Sequence, residues 1–442
     1  MSRQQQTHRN RLKVAVICPF WGSDGHAGMP RIERFVRWLQ HAGASIVVVA
    51  AGCEDDLSRE EAIVVYRSRD PLGLYRTDPD RPAPAPRRPN RFRRMLSYLL
   101  FVPDPSRVWA SRLAANRKLL EVLQGTTHVL ASSPPESVHP GAARLARRLG
   151  AQYIMDMRDG WLDEPLRPLL QRSALRRWLE RRLEARCIAA AAAILVTSDS
   201  WRSLLSARYR LAEPRIRVLT NAYPPTRHYP PAAPVSAGLL VHAGRFEGSD
   251  PRRRPAGLLE PLLSAVCRNQ SLQGEILLPG AHTPGDLLAL ESFATEFAAI
   301  GWKLRISTPI SRPQLLSELN IAGGLLLLSA SRAQIPGKLF EYLPTGRPIL
   351  ALVPGDGATW RLCEALEQVF LVDAGNPGAF AGRIDEFLAA AHDDKRFPVP
   401  PEYSEDALAE VFLSSLVTPE CAITADDSAG AGAKGLNGKA DL

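Results

Sequence analysis

The sequence predicts an α/β protein of two doubly wound domains facing each other across a cleft. Three observations carry this prediction. Short apolar runs of strand length alternate with longer amphipathic runs along most of the chain, the pattern of strand–helix–strand units around a parallel sheet. A proline-dense stretch, YPPTRHYPPAAP at 223–234, interrupts the alternation near the middle and reads as a linker. After it the same alternation begins again. At 442 residues the chain is long for one domain and comfortable for two.

The first half opens with a strand in LKVAVICPF (12–20), a glycine-bearing loop (21–30), an amphipathic helix in RIERFVRWLQHAG and a strand in ASIVVVAAG. Residues 76–94 are rich in Pro and Arg and read as irregular. A helical stretch surrounds Trp109 to Leu123. THVLASSPP (127–135) and AQYIMDMRD (151–159) are strands separated by the helix SVHPGAARLARRLG. A basic helix over about 174–190 and strands at 193–198 and 215–221 complete this half. The second half reads as strands in GLLVHAGR (238–245), GEILLPG, GWKLRIST, GGLLLLSAS (323–331) and PILALVPG, with helices between them and a last helix over 405–416. The expected division is a flexible N-terminus at 1–11, a first domain at 12–222, a linker at 223–236, a second domain at 237–400, a C-terminal helix at 401–418 and a disordered tail at 419–442.

Composition narrows the class. Six cysteines stand far apart with no C-x-x-C and no zinc spacing, so a reduced, cytoplasmic setting is expected and neither a metal nor a cofactor is implied. The longest apolar run, CIAAAAAILV (187–196), is about half of what a membrane-spanning helix requires. The net charge of +9 hides an asymmetry: residues 1–230 carry +17 and the remainder −8. Nucleic acid, anionic lipid or a phosphorylated substrate each account for a basic half. The tail matches G-x-G-x-x-G at 430–435, but without a strand before it or a helix after it that match carries no dinucleotide reading.

Five stretches bear chemistry. IPGKLFEYLPTGRPILAL (335–352) starts a helix after a buried strand, where α/β sheets bind ligands. Gly337 admits close approach to the backbone. Lys338 and Glu341 share a face at i, i+3, a cation for phosphate beside a carboxylate for hydroxyls; a surface Lys–Glu pair above a core Phe340 accounts for the same spacing. HAGRFEGSDPRRRP (242–255) places Arg245 just past a strand, with Arg252, Arg253 and Arg254 behind it, and arginine forks suit diphosphate oxygens. DMRDGW (156–161) offers Arg158 and Asp159 at a strand end; Asp159 is a candidate base or acceptor-orienting carboxylate, or half of an Asp–Arg cap. SSPPESVH (132–139) offers Ser133 at a strand end and His139 in the next helical turn, although a lone histidine is more often structural. The loop at 21–30 supplies Gly22, Gly25 and Gly28 for close backbone approach.

Taken together, two such halves with IPGKLFEYLPTGRPILAL, the strand-Gly-Arg of HAGRF, VLASSPPESVH, DMRDGW and LTNAYPP resemble glycosyltransferases of the GT-B fold. The closest group is the bacterial family-4-like class acting in cell-surface polysaccharide assembly. The resemblance covers roughly residues 12–416. It implies a nucleoside diphosphate sugar donor on the second domain, a glycan or lipid-linked acceptor on the first, and no metal. It makes Arg245 a phosphate contact, Glu341 a ribose contact, Lys338 a phosphate or sugar contact and Asp159 the aspartate of R-D-x-W. His139 is the candidate catalytic histidine, Arg252 and Arg253 stand in for a missing lysine, and Gly22, Gly28, Ser133, Arg158 and Asn221 line the cleft. One departure stands out. The family's first glutamate, eight residues before Glu341, is Ala333 here, which leaves the stereochemical outcome open.

Three other readings remain open at this level: a nucleotide-sugar 2-epimerase on the same fold, a non-catalytic scaffold of that fold, and nucleic-acid binding. The basic first half speaks against the epimerase. The absence of any recognition helix or aromatic–basic module speaks against nucleic acid. RRPNRFRRMLSYLLFV (87–102) and RSALRRWLERRLEARC (172–187) set arginines beside apolar residues. From these, peripheral contact with the anionic inner face of the cell membrane is expected.

Overall fold

The computed structural model describes residues 12–23, 26, 28–75, 101–163, 173–210, 215–223, 236–246, 250 and 252–416. The N-terminal stretch, the arginine-rich segment 76–100, Gly25, most of the proline-dense linker and the tail lie outside them.

Eight strands form the first sheet: β1 (Lys13–Ile17), β2 (Ser45–Gly52), β3 (Asp56–Glu60), β4 (Ile63–Arg69), β5 (His128–Ser133), β6 (Gln152–Met157), β7 (Ala193–Val196) and β8 (Ile216–Val218). Their order is β3-β4-β2-β1-β5-β6-β7-β8, all parallel except β3, which pairs antiparallel with β4. Six strands form the second: β9 (Ser236–Val241), β10 (Glu275–Pro279), β11 (Lys303–Ser307), β12 (Ala322–Leu328), β13 (Ile349–Val353) and β14 (Val369–Asp373). Its order, β11-β10-β9-β12-β13-β14, is the doubly wound 3-2-1-4-5-6. In each sheet the order reverses beside the first strand, at β1/β5 and at β9/β12. There the loops leaving the strands diverge and open a crevice.

The helices are α1 (Met29–His41), α2 (Arg107–Ala110), α3 (Arg117–Val122), α4 (Val138–Leu149), α5 (Ala174–Ala190), α6 (Asp199–Tyr209), α7 (Ala256–Arg268), α8 (Pro284–Ala299), α9 (Arg312–Ile321), α10 (Leu339–Tyr342), α11 (Ala358–Cys363), α12 (Ala381–His392) and α13 (Glu405–Ser414). Because helices cover both faces, the strands read as unbroken apolar runs rather than alternating ones. Val14 and Val16 of β1 pack with Ile32 and Phe35 of α1, while Ala15 and Ile17 pack with Trp109 and Leu145 on the other face.

Several elements depart from the sequence reading. The helical stretch at 109–123 is two short helices and a 3-10 turn, because Asn116 is extended and caps α3 through its side chain. The hairpin β3–β4, strand β14 and helices α6, α11 and α12 have no counterpart in it. The helix expected from 336 onward is a single turn at 339–342, followed by a 3-10 turn containing Pro344 and closed by Gly346 at φ 64°.

The last helix packs on the first sheet although it follows the second. Phe412 stacks on Phe35 at 4.6 Å between ring centroids. Glu405 accepts from Arg34 and from Arg37, and His128 Nε2 meets the Leu416 carbonyl at 2.9 Å. Tyr223 pairs with Ser404, so the chain leaves the first domain and returns to it at one place. Phe412→Ala removes a fully buried ring and is expected to lower stability by about 3–5 kcal/mol, read as a reduced urea midpoint.

Candidate functional site

The carboxyl end of the first sheet is organised by a buried ion pair. Arg31, in the first turn of α1, donates from Nε to Asp156 Oδ2 at 2.9 Å and from Nη2 to Oδ1 at 2.6 Å. Ser132 Oγ donates to the same Oδ2 at 2.5 Å. The guanidinium also donates to the Leu219 and Thr220 carbonyls and to Asn221 Oδ1. A charge taken out of water requires this degree of pairing. Its effect is to hold α1, β5, β6 and the segment leaving β8 in one register.

Above it lies a polar group at the β1/β5 switch point. Arg158 Nε pairs with Asp159 Oδ2 at 3.2 Å. A Cβ at Gly28 would meet Arg158 Nη1 and the Phe20 ring, each at 2.8 Å, so only glycine lets that arginine lie over the start of α1. His26 stacks on Phe20 with centroids 3.6 Å apart, and its Nδ1 accepts from the Gly28 N–H at 3.1 Å, leaving Nε2 to carry the proton. Burial and the neighbouring Arg158 lower its pKa. His26 lies in the loop flagged for its glycines, and that loop is the signal that could have found it.

His139 does not belong to this group. It is fully buried, its Nδ1 bonds the Tyr153 hydroxyl at 2.8 Å and its ring stacks on Trp161. Burial pushes its pKa down to about 3, so it is a neutral core residue, and the sequence candidate is corrected here. Ser133 is likewise closed off at the end of β5; its neighbour Ser132 makes the contact to Asp156. Gly22 forms a turn with φ 79° whose nearest side chain is Arg67, away from Arg158 and Asp159.

On the second sheet, Gly244 follows β9 with φ 101° and leaves room for Lys338 Nζ, which would lie 3.5 Å from a Cβ there. Lys338 Nζ lies 3.3 Å from His242 Nε2. His242 Nδ1 is 2.8 Å from the Leu326 carbonyl. A carbonyl only accepts, so Nδ1 carries the proton and Nε2 accepts from the lysine. Burial and the nearby Arg253 bring the Lys338 pKa down to about 7, with Glu341 opposing. Burial raises that of Glu341 against the pull of Arg312 and Lys338, and Arg312 Nη2 reaches Glu341 at 3.2 Å. Tyr342 fixes the turn, its hydroxyl accepting from the Ala243 N–H at 2.9 Å.

Arg245 is exposed beside Gly244. Arg252 is held by both oxygens of Asp250, at 3.0 and 2.7 Å, so its fork is not directed at a phosphate. Arg253 borders both Lys338 and a cavity of ≈ 940 Å³ at the ends of β12, β13 and β14, shared with Arg332, Asp356, Trp360 and Phe380. With four residues α10 is too short for a strong helix dipole, so the positive charge here is that of side chains.

The two sheets' carboxyl ends meet. Asn221 Nδ2 lies 3.8 Å from where a Cβ of Gly337 would be. Ser198 Oγ donates to the Ala333 carbonyl at 2.6 Å, and Arg361 donates to Ser200 at 2.8 Å. Ala333, where the resemblance expects a glutamate, packs against the core of the first domain.

Residues 27–222 match the glycosyl transferase 4-like domain. No curated protein matches the chain in sequence. Among solved structures the chain is similar to HepE of Anabaena in complex with UDP-glucose, at 12% identity over 92% of this chain and 99% of that one, with a TM-score of 0.55. It is similar to α,α-trehalose 6-phosphate synthase of Burkholderia multivorans at 12% identity over 93% and 99%, with a TM-score of 0.56. A Listeria monocytogenes protein assigned as a UDP-N-acetylglucosamine 2-epimerase matches at 13% identity over 92% and 95%, with a TM-score of 0.50. At these identities the likeness is one of fold, and the fold is GT-B. The glycosyl transferase 4-like match spans the first domain, and the fold shared with these structures spans the whole chain.

Asp156→Ala leaves Arg31 charged in the core without its carboxylate. Loss of one partner of a buried pair is expected to lower stability by about 3–5 kcal/mol, measured by urea unfolding, with Asp156→Asn less severe.

Proposed function

We propose that this protein transfers a glycosyl unit from a nucleoside diphosphate sugar on the second domain to an acceptor on the first, in assembly of a cell-surface polysaccharide or glycolipid. The observation that carries the reading is the meeting of Asn221 with Gly337 beside Lys338 and Arg253, at the carboxyl ends of both sheets. The donor's diphosphate lies against Lys338, Arg253 and Arg245, and Glu341 takes the ribose hydroxyls. The bond from the anomeric carbon to the β-phosphate oxygen breaks, its electron pair leaving on the nucleoside diphosphate. The acceptor oxygen forms the new bond, and its proton passes to Asp159, which Arg158 orients. Cations on the leaving diphosphate act where charge develops. HepE is known in complex with UDP and with UDP-glucose, so uridine nucleotides are the first donors to try.

Release of UDP from UDP-sugars is the direct assay. Glu341→Ala and Arg253→Ala are each expected to weaken donor binding roughly tenfold to a hundredfold while melting like wild type. Among the described residues no group of three or more His, Cys, Asp or Glu is placed to hold a metal, and cationic side chains line the site instead. Turnover is therefore expected to persist in EDTA; loss restored by magnesium would overturn the diphosphate assignment. Sugar epimerisation without transfer would favour the epimerase reading.

Lys338 supplies a pH signature. Its folded pKa of about 7 lies below that of a free lysine, so at pH 8 it is mostly neutral. A diphosphate beside it favours the ammonium form. Binding should then take up a proton between about pH 7 and 9, and affinity should fall as pH rises through that window. A terminal phosphate ionises near pH 6 and is silent there. Calorimetry of UDP binding at pH 8 in two buffers of different ionisation enthalpy reads the proton directly, and Lys338→Met should abolish it.

A further inference from the structure

Helix α5 buries its acids and exposes arginines interspersed with large apolar side chains. Its two glutamates are fully buried. Glu180 accepts from Trp161 Nε1 at 2.8 Å and from Arg176, and Glu184 accepts from Arg208 and Tyr209. Leu175, Trp178 and Leu179 are instead 68%, 50% and 37% exposed. The helix's surface charges are Arg177, Arg181, Arg182 and Arg186, and those of neighbouring α4 are Arg144, Arg147 and Arg148. Neither helix exposes an acid.

Between these helices lies a second cavity, of ≈ 570 Å³, with Arg144, Arg147 and Arg186 around an apolar lining of Tyr153, Leu183 and Cys187. Its size falls in the range of small-ligand sites. Leu175, Leu179 and Leu183 recur at i, i+4 and i+8, so they form one stripe along α5. That stripe runs from the exposed apolar end into the cavity, with Arg186 one turn further on. Exposed apolar residues, a chain-shaped track and a terminal cluster of arginines together fit an amphiphile with a phosphate head. Pairing with a second copy of this face would set seven arginines against seven. Nucleic acid would leave the leucines uncovered.

We propose that the outer face of α5 docks this protein on an anionic lipid surface, with Leu175, Trp178 and Leu179 in the interface and a lipid phosphate between Arg144, Arg147 and Arg186. The inference is independent of the donor site. Membrane contact was expected from two segments; residues 87–100 of the first lie outside the described residues, and the case rests on α5 with α4.

The test is co-sedimentation of the full chain with vesicles of phosphatidylcholine alone or with about a third phosphatidylglycerol, an anionic composition. The chain should pellet with the anionic vesicles at low salt, be released at high salt and stay in solution with neutral ones. Tryptophan emission should shift to the blue on binding, and Trp178→Phe should abolish the shift. An arginine at such a surface changes partition roughly fivefold. The triple substitution of Arg144, Arg147 and Arg186 to Glu should therefore lower binding on the order of a hundredfold. Leu175→Glu with Leu179→Glu should lower it at least about tenfold. All five positions are exposed, so thermal melts should match wild type. Unchanged pelleting of either variant would overturn the proposal, as would equal recovery with both vesicle types. Vesicle binding abolished by inorganic phosphate but indifferent to the leucine substitutions would make the cleft an anion site and overturn the lipid surface. Sedimentation velocity showing a dimer that the leucine substitutions dissociate, with no vesicle binding, would do the same in favour of a second copy.

Discussion

The Arg31–Asp156 pair is the constraint on which the rest of the site depends. It joins residues 125 positions apart, and the strand order makes this possible: β1, β5 and β6 are adjacent, so the helix after β1 begins beside the end of β6. A buried ion pair is poor evidence of stability in itself, because desolvation offsets much of the attraction. Its consequence here is geometric. The remaining donors of Arg31 are taken by the segment at 219–221, and Asn221 is the residue that reaches Gly337. The position of the second domain's 333–337 segment against the first domain is thus tied to the core of the first sheet.

Across the cleft the logic is electrostatic rather than steric. Lys338 is pressed toward neutrality by burial and by Arg253, with its amine on the lone pair of His242. His242 cannot take up that proton, since burial and the lysine itself drive its pKa well below the ordinary value. The cluster therefore lacks an internal counter-ion strong enough to keep the ammonium charged. On the proposed reading a bound diphosphate would supply one, and charge in this loop would then follow the ligand, as in an anion site rather than a surface Lys–Glu pair.

What the sequence made legible follows from what burial does to composition. Buried parallel strands read as apolar runs, so both doubly wound sheets were visible. The edge strand β3, DLSRE, is polar because one side and one edge face water, and it was not. His139 and Lys338 both follow a strand in sequence, and periodicity alone did not separate them. His139 turns toward Tyr153 and Trp161 inside the sheet–helix layer, whereas Lys338 turns toward Gly244 at the strand end. Arg31 was unreadable for a different reason: its partner is distant in sequence, and only the strand order brings them together. Of the arginines at 252 and 253, the first has its fork on the Asp250 carboxylate, a pairing that spacing alone did not reveal.

Ala333 bears on how the cleft is closed. Ser198 follows β7 and Asn221 follows β8, so the ends of two neighbouring first-domain strands engage the short segment from Ala333 to Gly337 at both of its ends. Just before that segment the Ser331 hydroxyl accepts from the backbone N–H groups of Ala333 and Gln334, which fixes the segment's curvature. The small side chain at 333 packs on the first domain's core. The carboxylates lining the adjoining cavity are Asp356 and Asp373, with Arg332 paired to Asp356. The polar groups of that cavity therefore come largely from the ends of β12, β13 and β14. The 333–337 segment serves as the joint between domains, and any motion that widens the cleft must carry or break the Ser198–Ala333 hydrogen bond.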